Sequence, residues 1–225
     1  MAKFDEVRET FERYMIEDGY DMDDPKDLSI HHSQDVIDQP PEVVLAMASE
    51  EELRTKYLPN WREHIGYPTS TRVIPVEQFR GGDPKWEDLW DWGKNRMVLD
   101  LGVSSNALFV HYPPNGLTGW HTNWNANAYQ VLFTWSETGD GFFTYYDIQQ
   151  DKVVTIQDKP GWQCRWYYFG RKDEPQHHCW HACYSGKSRR MTLAFKFSNK
   201  GIDHESNEMA EFLRDEFIAE IETDE

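Results

Sequence analysis

Apolar positions near the N-terminus recur every three or four places, a spacing typical of helices, whereas Asp21 to Gln39 is polar and acidic. At the N-terminus, apolar residues with charges between them predict an amphipathic helix ending near Gly19: Phe4, Val7, Phe11, Tyr14 and Met15. Ser49 to Glu52 predicts a capping box opening a helix through Leu58. Asp83-Pro84 predicts an N-cap and first-turn proline for a helix from Lys85 to Gly93. With a short strand expected at Thr71–Val76, residues 1–96 are predicted to be a helical and loop elaboration.

From Met97 the pattern changes to short runs of β-branched and aromatic residues separated by turns. The predicted strands are Met97–Leu101, Ala107–Tyr112, Ala128–Trp135, Gly141–Asp147, Lys152–Ile156, Trp162–Phe169, His178–Cys183 and Arg190–Phe197. About eight short strands at this spacing predict a sandwich or jelly roll. The fold class is therefore mainly β with flanking helices. A last amphipathic helix is expected at about Asn207 to Ile221, and the whole chain, 1–225, is interpreted as one domain with its jelly-roll core at 97–198 and a C-terminal helix within 199–225.

Candidate metal ligands follow from the stretch Trp120-His121-Thr122-Asn123 and from a later His181. On an extended segment, residues two apart project from one face, so His121 and Asn123 are expected on the same side. Two imidazoles and one small oxygen donor with open positions are typical of a non-haem Fe(II) site. His177 and His178 are rivals for the second histidine. A zinc site from Cys179, His181 and Cys183 is an alternative, although structural zinc uses four ligands.

A candidate anion site lies in the last predicted strand, where Arg190 and Thr192 share a face. Arginine presents a planar fork that holds a carboxylate through two hydrogen bonds. Tyr112, on a neighbouring strand, is expected to add a hydroxyl. The alternative is an internal salt bridge from Arg190 to Glu137 or Asp147.

The order of these motifs resembles that of a known family. Tyr112-Pro113-Pro114-Asn115-Gly116 leads into the His121 stretch, followed by Gly139-Asp140-Gly141-Phe142-Phe143, Lys159-Pro160-Gly161, Trp180-His181-Ala182, Ser185-Gly186 and Arg190-Met191-Thr192-Leu193. The segment from about Ala107 to Phe197 is similar to the core of the Fe(II)- and 2-oxoglutarate-dependent oxygenases of the prolyl-4-hydroxylase-like kind. The resemblance implies a double-stranded β-helix in which His121, Asn123 and His181 hold Fe(II) and serve catalysis. It also implies that Arg190, with Thr192 and Tyr112, binds 2-oxoglutarate, and that O2 is used to hydroxylate a C–H bond.

Asn123 departs from the family, which carries Asp or Glu at this position. Asn123 is expected to ligate iron through its carbonyl oxygen, to bind a ligating water, or to leave a halide position as in related halogenases. Loss of catalysis is a further alternative, giving a cupin-like jelly roll that only binds metal or ligand. Trp120, Trp124 and Trp180 border the histidines and are interpreted either as a wall that excludes water from the metal or as ordinary core.

The charge and cysteine content of the chain restrict the kinds of partner and compartment that are expected. The formal net charge of −17 argues against nucleic acid, since phosphate binding needs a basic surface. Three cysteines without a regular framework, no signal-peptide core and no apolar run of membrane-spanning length predict a soluble, cytoplasmic protein with no membrane partner. The expected partner is a small-molecule or peptide substrate, and the sequence carries no signal for an oligomeric state.

Overall fold

The computed structural model describes residues 2–24, 36, 38–61 and 66–197. The predicted helix at Asn207–Ile221 therefore lies outside the described residues. The single-domain interpretation stays a prediction. Within the described ranges, no helix has the length and apolar character needed to cross a membrane.

Among the described residues before the barrel, the α-helical segments are α1 (Ala2–Glu17), α2 (Pro41–Ala46), α3 (Glu50–Glu52), α4 (Pro84–Asp91) and α5 (Met97–Leu101). The Ser49 side chain accepts a hydrogen bond from the Glu52 amide, and Asp83 accepts one from the Lys85 amide, as expected for N-caps. A π-helical segment, Leu53–Tyr57, continues α3, and another, Trp92–Arg96, joins α4 to α5.

In the part of the chain that the structure describes, ten strands form two antiparallel five-stranded sheets. The strands are β1 (Thr71–Arg72), β2 (Ile74–Pro75), β3 (Ser105–Tyr112), β4 (Leu117–His121), β5 (Ala128–Ser136), β6 (Phe142–Asp147), β7 (Lys152–Gln157), β8 (Gly161–Phe169), β9 (His181–Tyr184) and β10 (Arg190–Phe197). One sheet has the order β1-β4-β9-β6-β7 and the other β2-β3-β10-β5-β8. Of the strands from β3 onward, β3, β5, β8 and β10 lie in one sheet and β4, β6, β7 and β9 in the other. The two sheets face each other as a jelly roll, which is the double-stranded β-helix that the family resemblance implied.

Apolar side chains bury three surfaces. Helix α1 packs Phe4, Val7, Phe11 and Met15 on the outer face of the β3-β10-β5 sheet. Segments around Val44, Leu53 and Tyr57 cover the outer face of the β4-β9-β6 sheet. A third cluster lies between the sheets and surrounds the candidate site: Val73, Val110, Tyr112, Leu132, Phe143, Phe169, Cys183 and Ala194.

Three predicted elements were wrong. Met97–Leu101 is helix α5, because the helix begun at Pro84 continues through Arg96 and packs Met97 into the outer core, which outweighs the β propensity of the segment. Thr71–Val76 is two strands that pair with different sheets, since Thr71 opposes Thr118 and Ile74 opposes His111. The strand expected from His178 begins at His181, because residues 175–177 form a 3-10 turn.

Buried His111 predicts an acid-sensitive stability. It is fully buried on β3, its ring lies 5.3 Å from Phe11, and burial lowers its pKa to about 3. In the unfolded chain this histidine has a pKa near 6.5, so it is protonated below that pH. In the folded chain it stays neutral until about pH 3, so acid favours the unfolded state. The unfolding free energy should therefore fall by about 1.4 kcal/mol per pH unit well below 6.5.

Urea unfolding at pH 7 and pH 5 checks this, with His111→Phe as the comparison. Because other buried histidines are common to both proteins, the native chain should lose about 2 kcal/mol more than the variant between these pH values. An equal loss in the two proteins contradicts the assignment to His111.

Candidate functional site

A β-bulge turns His121 into the barrel. In the pairing of β4 with β9, Thr118 opposes Cys183 and His121 opposes His181, so three steps on β4 match two on β9. The extra residue reverses the alternation: Trp120 packs in the outer core, while Thr118 and His121 both face the cavity. Simple alternation from the sequence could not show this reversal.

Asn123 reaches the site by a backbone conformation that the sequence reasoning missed. Strand β4 ends at His121, and Asn123 has φ 57°, in the left-handed region. The Gly66 carbonyl accepts hydrogen bonds from the amides of both Thr122 and Asn123 and holds this turn. Asparagine tolerates the left-handed region better than most residues, which gives a local reason for its presence. The expectation of an extended His121–Asn123 segment was wrong, although the two side chains do converge.

The two histidines are fixed in the tautomer that a metal ligand needs. Nδ1 of His121 lies 2.8 Å from the Gly119 carbonyl, and Nδ1 of His181 lies 2.8 Å from the Cys179 carbonyl. A carbonyl only accepts, so each Nδ1 carries the proton and each Nε2 carries a lone pair. The ring centroids are 3.9 Å apart. The Asn123 amide nitrogen lies 3.3 Å from His181 Nε2 and donates to it.

Both histidines are neutral in the folded chain. Burial lowers the pKa of His121 to about 4, and burial together with the nearby His121 lowers that of His181 well below its ordinary value. The rings of Phe143 and Phe169 lie 5.4 Å and 4.9 Å from the His181 ring and keep it in apolar surroundings. The pair is thus ready to donate lone pairs near neutral pH without losing a proton first.

Arg190 is held at the buried end of the same cavity. Its Nε donates to Asp158 Oδ2 at 2.9 Å, its Nη1 donates to Thr192 Oγ1 at 2.7 Å, and its guanidinium lies 5.0 Å over the Tyr112 ring. Burial, the largest single effect, disfavours the charge, but the Asp158 carboxylate together with Cys183 and Tyr112 raises the pKa of Arg190 above its ordinary value. The prediction that Arg190 and Thr192 share a face with Tyr112 nearby is confirmed, and Arg189 turns away to pair with Glu137 at 2.8 Å.

The salt-bridge alternative for Arg190 has a different partner from those expected. Asp158, with a side chain that is 0% exposed, pairs with both Arg190 and Arg165, the latter at 3.2 Å. Two guanidinium groups sharing one carboxylate leave this cluster with one positive charge. Neither Glu137 nor Asp147 fills that role, because Glu137 pairs with Arg189, and Asp147 lies on β6 and accepts hydrogen bonds from its own turn.

One cavity of about 570 Å³ joins these residues. His121, Asn123, His181, Arg190, Thr192 and Tyr112, which are the six residues predicted for the site, all line it. Sequence reasoning missed other lining residues, among them Thr118, Phe143, Phe169 and Gln130. Only the strand pairing and the bulge, neither visible in local patterns, identify them.

Several alternatives from the sequence are not supported by the geometry. His178 Nε2 donates to the Arg171 carbonyl at 2.9 Å and does not line the cavity, and His177 belongs to the preceding 3-10 turn. Within the described ranges no three His, Cys, Asp or Glu side chains assemble as a metal group, so the zinc alternative with Cys179 and Cys183 is wrong there. Trp120 and Trp180 pack in the core outside the β4-β9-β6 sheet and form no wall around the histidines.

A double-stranded β-helix with buried histidines facing its interior defines this chain as a jelly-roll protein. No protein-family model matches it, and no curated protein matches it. Among solved structures it is similar to an oxalate oxidase in complex with the substrate analogue glycolate, at 15% identity and a TM-score of 0.33, over 62% of this chain and 56% of that one. It is also similar to a cupin domain from Bordetella pertussis Tohama I, at 15% identity and a TM-score of 0.27, over 42% of this chain and 80% of that one. The chain thus spans little more than half of the oxalate oxidase.

Proposed function

We propose that this protein is an Fe(II)- and 2-oxoglutarate-dependent oxygenase, a hydroxylase of small molecules or peptides. The observation that carries the proposal is the pair His121 and His181, whose protonated Nδ1 atoms donate to backbone carbonyls and whose rings lie 3.9 Å apart in a cavity that Asn123 and Arg190 also line. Bound iron would supply the O2-dependent oxidation of a C–H bond; the chain's residues supply binding, orientation and shelter from water.

The donor set fits a first-row divalent metal. Imidazole suits iron, and both rings are neutral and oriented by backbone hydrogen bonds, as metal-binding histidines usually are. Asn123 is the third donor, through its Oδ1. In the structure its amide NH2 points to His181 Nε2. Metal binding would require this amide to rotate, because the same lone pair cannot serve both a proton and a metal.

The anion end of the cavity fits a dicarboxylate. The Arg165–Asp158–Arg190 cluster carries a net positive charge. Asp158 accepts a hydrogen bond from Nε of Arg190, so it occupies that side of the guanidinium. Thr192, which accepts from Arg190, and Tyr112, which contacts Thr118 through its hydroxyl at 3.1 Å, add polar groups at this end. A carboxylate of 2-oxoglutarate would thus meet a preorganised guanidinium.

Anaerobic Fe(II) titration with and without 2-oxoglutarate tests the proposal. A metal-to-ligand charge-transfer band should appear only when both are present. Arg190→Ala should raise the 2-oxoglutarate Kd by on the order of 100-fold, since it removes a buried charge-assisted contact. Arg190→Lys keeps the charge opposite Asp158 and should give a smaller loss, which separates ligand binding from misfolding.

Arg189→Ala is the matched control, because Arg189 precedes Arg190 in the chain but pairs with Glu137 and does not line the cavity. It should leave the band unchanged. Metal binding without any 2-oxoglutarate-dependent band would instead favour the second candidate, a cupin-like module that binds metal or ligand without turnover; the Asp158 partner of Arg190 is the observation that favours it.

A further inference from the structure

The pairing of β3 with β10 orders the cavity from its buried end to its mouth. Arg190 opposes Tyr112, Thr192 opposes Val110, and Ala194 opposes Leu108. Arg190 and Tyr112 are each 1% exposed, whereas Leu108 is 37% exposed. The cationic and hydrogen-bonding groups thus lie at the inner end, and the strand pairs become apolar toward the mouth.

The entrance of the cavity is lined by exposed apolar side chains. Tyr67, 52% exposed, and Leu108 are two of the large apolar side chains that the described surface presents, and both line this cavity. Pro75, opposite Val110 in the β2–β3 pair, and Ala126 extend the same apolar surface. Apolar surface exposed around a cavity entrance is characteristic of a ligand-binding site rather than of ordinary surface.

One charged group stands at this mouth. Glu77 is exposed, follows β2 in a 3-10 turn, and is the only carboxylate among the described residues that line the cavity. The formal net charge of −17 adds a negative field around it. An anionic molecule would be repelled here, while a cation would gain both a local partner and steering.

We infer that the substrate of this cavity is a small organic amine: an apolar body that lies between Tyr67 and Leu108, with an ammonium group that pairs with Glu77. This inference rests on the proposed function, in which the inner end of the cavity is taken by the 2-oxo acid. The volume of about 570 Å³ lies within the range of roughly 300–1,000 Å³ that ligand pockets show, and so has room for a second molecule beside a small dicarboxylate.

Three probes of similar shape and different charge test it by calorimetry: 2-phenylethylamine, 2-phenylethanol and phenylacetate. Each is titrated into the full chain with saturating Zn(II) and 2-oxoglutarate, so that Arg190 is occupied, and into the free protein. The amine should bind at least tenfold more tightly than phenylacetate. Glu77→Gln should reduce that preference about tenfold, whereas Glu51→Gln, an exposed carboxylate on α3, should leave it unchanged.

Leu108→Ser should weaken all three probes alike, because it removes apolar contact and no charge. Phenylacetate binding as tightly as the amine, or a preference that Glu77→Gln leaves intact, overturns the inference. Zn(II) and 2-oxoglutarate are titrated first without probes, and a failure to bind at that stage counts against the proposed function alone. In that case the comparison of the amine with the neutral alcohol on the free protein, with and without Glu77→Gln, still decides the chemistry of the mouth, because neither probe carries a carboxylate that Arg190 would bind.

Discussion

Replacing His181 by alanine is expected to abolish Fe(II) binding at micromolar protein concentrations. The His181 ring is one of the two neutral imidazoles that line the cavity. Its Nε2 carries a lone pair and accepts a hydrogen bond from the Asn123 amide. Loss of a hydrogen-bonded partner behind a metal ligand typically costs about 10–100-fold in metal affinity, so loss of the ligand itself should cost on the order of 100-fold or more. Anaerobic titration monitored by the charge-transfer band with 2-oxoglutarate, and by calorimetry without it, measures the change.

His178→Ala is the matched control, three residues away. His178 is also buried, but its Nε2 lies 2.9 Å from the Arg171 carbonyl and its ring packs at 5.8 Å from Trp61, outside the cavity. It should leave iron binding intact, with some loss of stability. His121→Ala should match His181→Ala. Loss of iron in the His178 variant, with retention in the His181 variant, would contradict the ligand assignment.

Much of the fold followed from the sequence because it depends on local pattern. The strand Arg190–Phe197 was predicted with its observed bounds, since four apolar residues alternate there with more polar ones along the strand. The same period predicted that Arg190 faces inward and Arg189 outward, which is confirmed. Helix α1 and its buried face were likewise predicted, because a helix that packs on a sheet must bury one apolar stripe.

What the sequence could not show depends on contacts between distant segments. The bulge in β4 that turns His121 inward is defined by its pairing with β9, 60 positions along the chain. Asp158 becomes the partner of Arg190 only because β7, its turn and β10 meet around one cavity. Helix α5 was interpreted as a strand because its residues favour either structure, and packing of Met97 decides between them.

The left-handed turn at Asn123 explains how a short amide reaches His181, and it limits which substitutions are informative. Gly66 accepts both the Thr122 and Asn123 amides, so the turn is held by backbone contacts that do not depend on the side chain. Aspartate and glycine both tolerate φ near 57°, whereas β-branched residues do not. Asn123→Asp and Asn123→Gly therefore change the donor while keeping the turn.

Asn123→Asp is expected to tighten Fe(II) binding by tenfold or more, because a carboxylate adds a negative charge and a better oxygen donor within reach of His181. Without metal, the same change places an unpaired carboxylate in a half-buried site and should lower the unfolding free energy by about 1–3 kcal/mol. Asn123→Gly should bind Fe(II) more weakly than the native chain with little change in stability. Thermal unfolding of the three proteins with and without Fe(II) measures both effects.

The sign of the metal effect decides between the two functional readings. If the cavity holds iron, Fe(II) should raise the melting temperature of the Asp variant more than that of the native chain, because ligand binding stabilises the folded state in proportion to its affinity. If the cavity is a metal-free binding module, the half-buried carboxylate remains unpaired and the variant stays destabilised whatever the Fe(II) concentration. The second result would withdraw the oxygenase proposal and leave a jelly roll whose Arg190 and Asp158 form a structural salt bridge at the buried end of a ligand cavity.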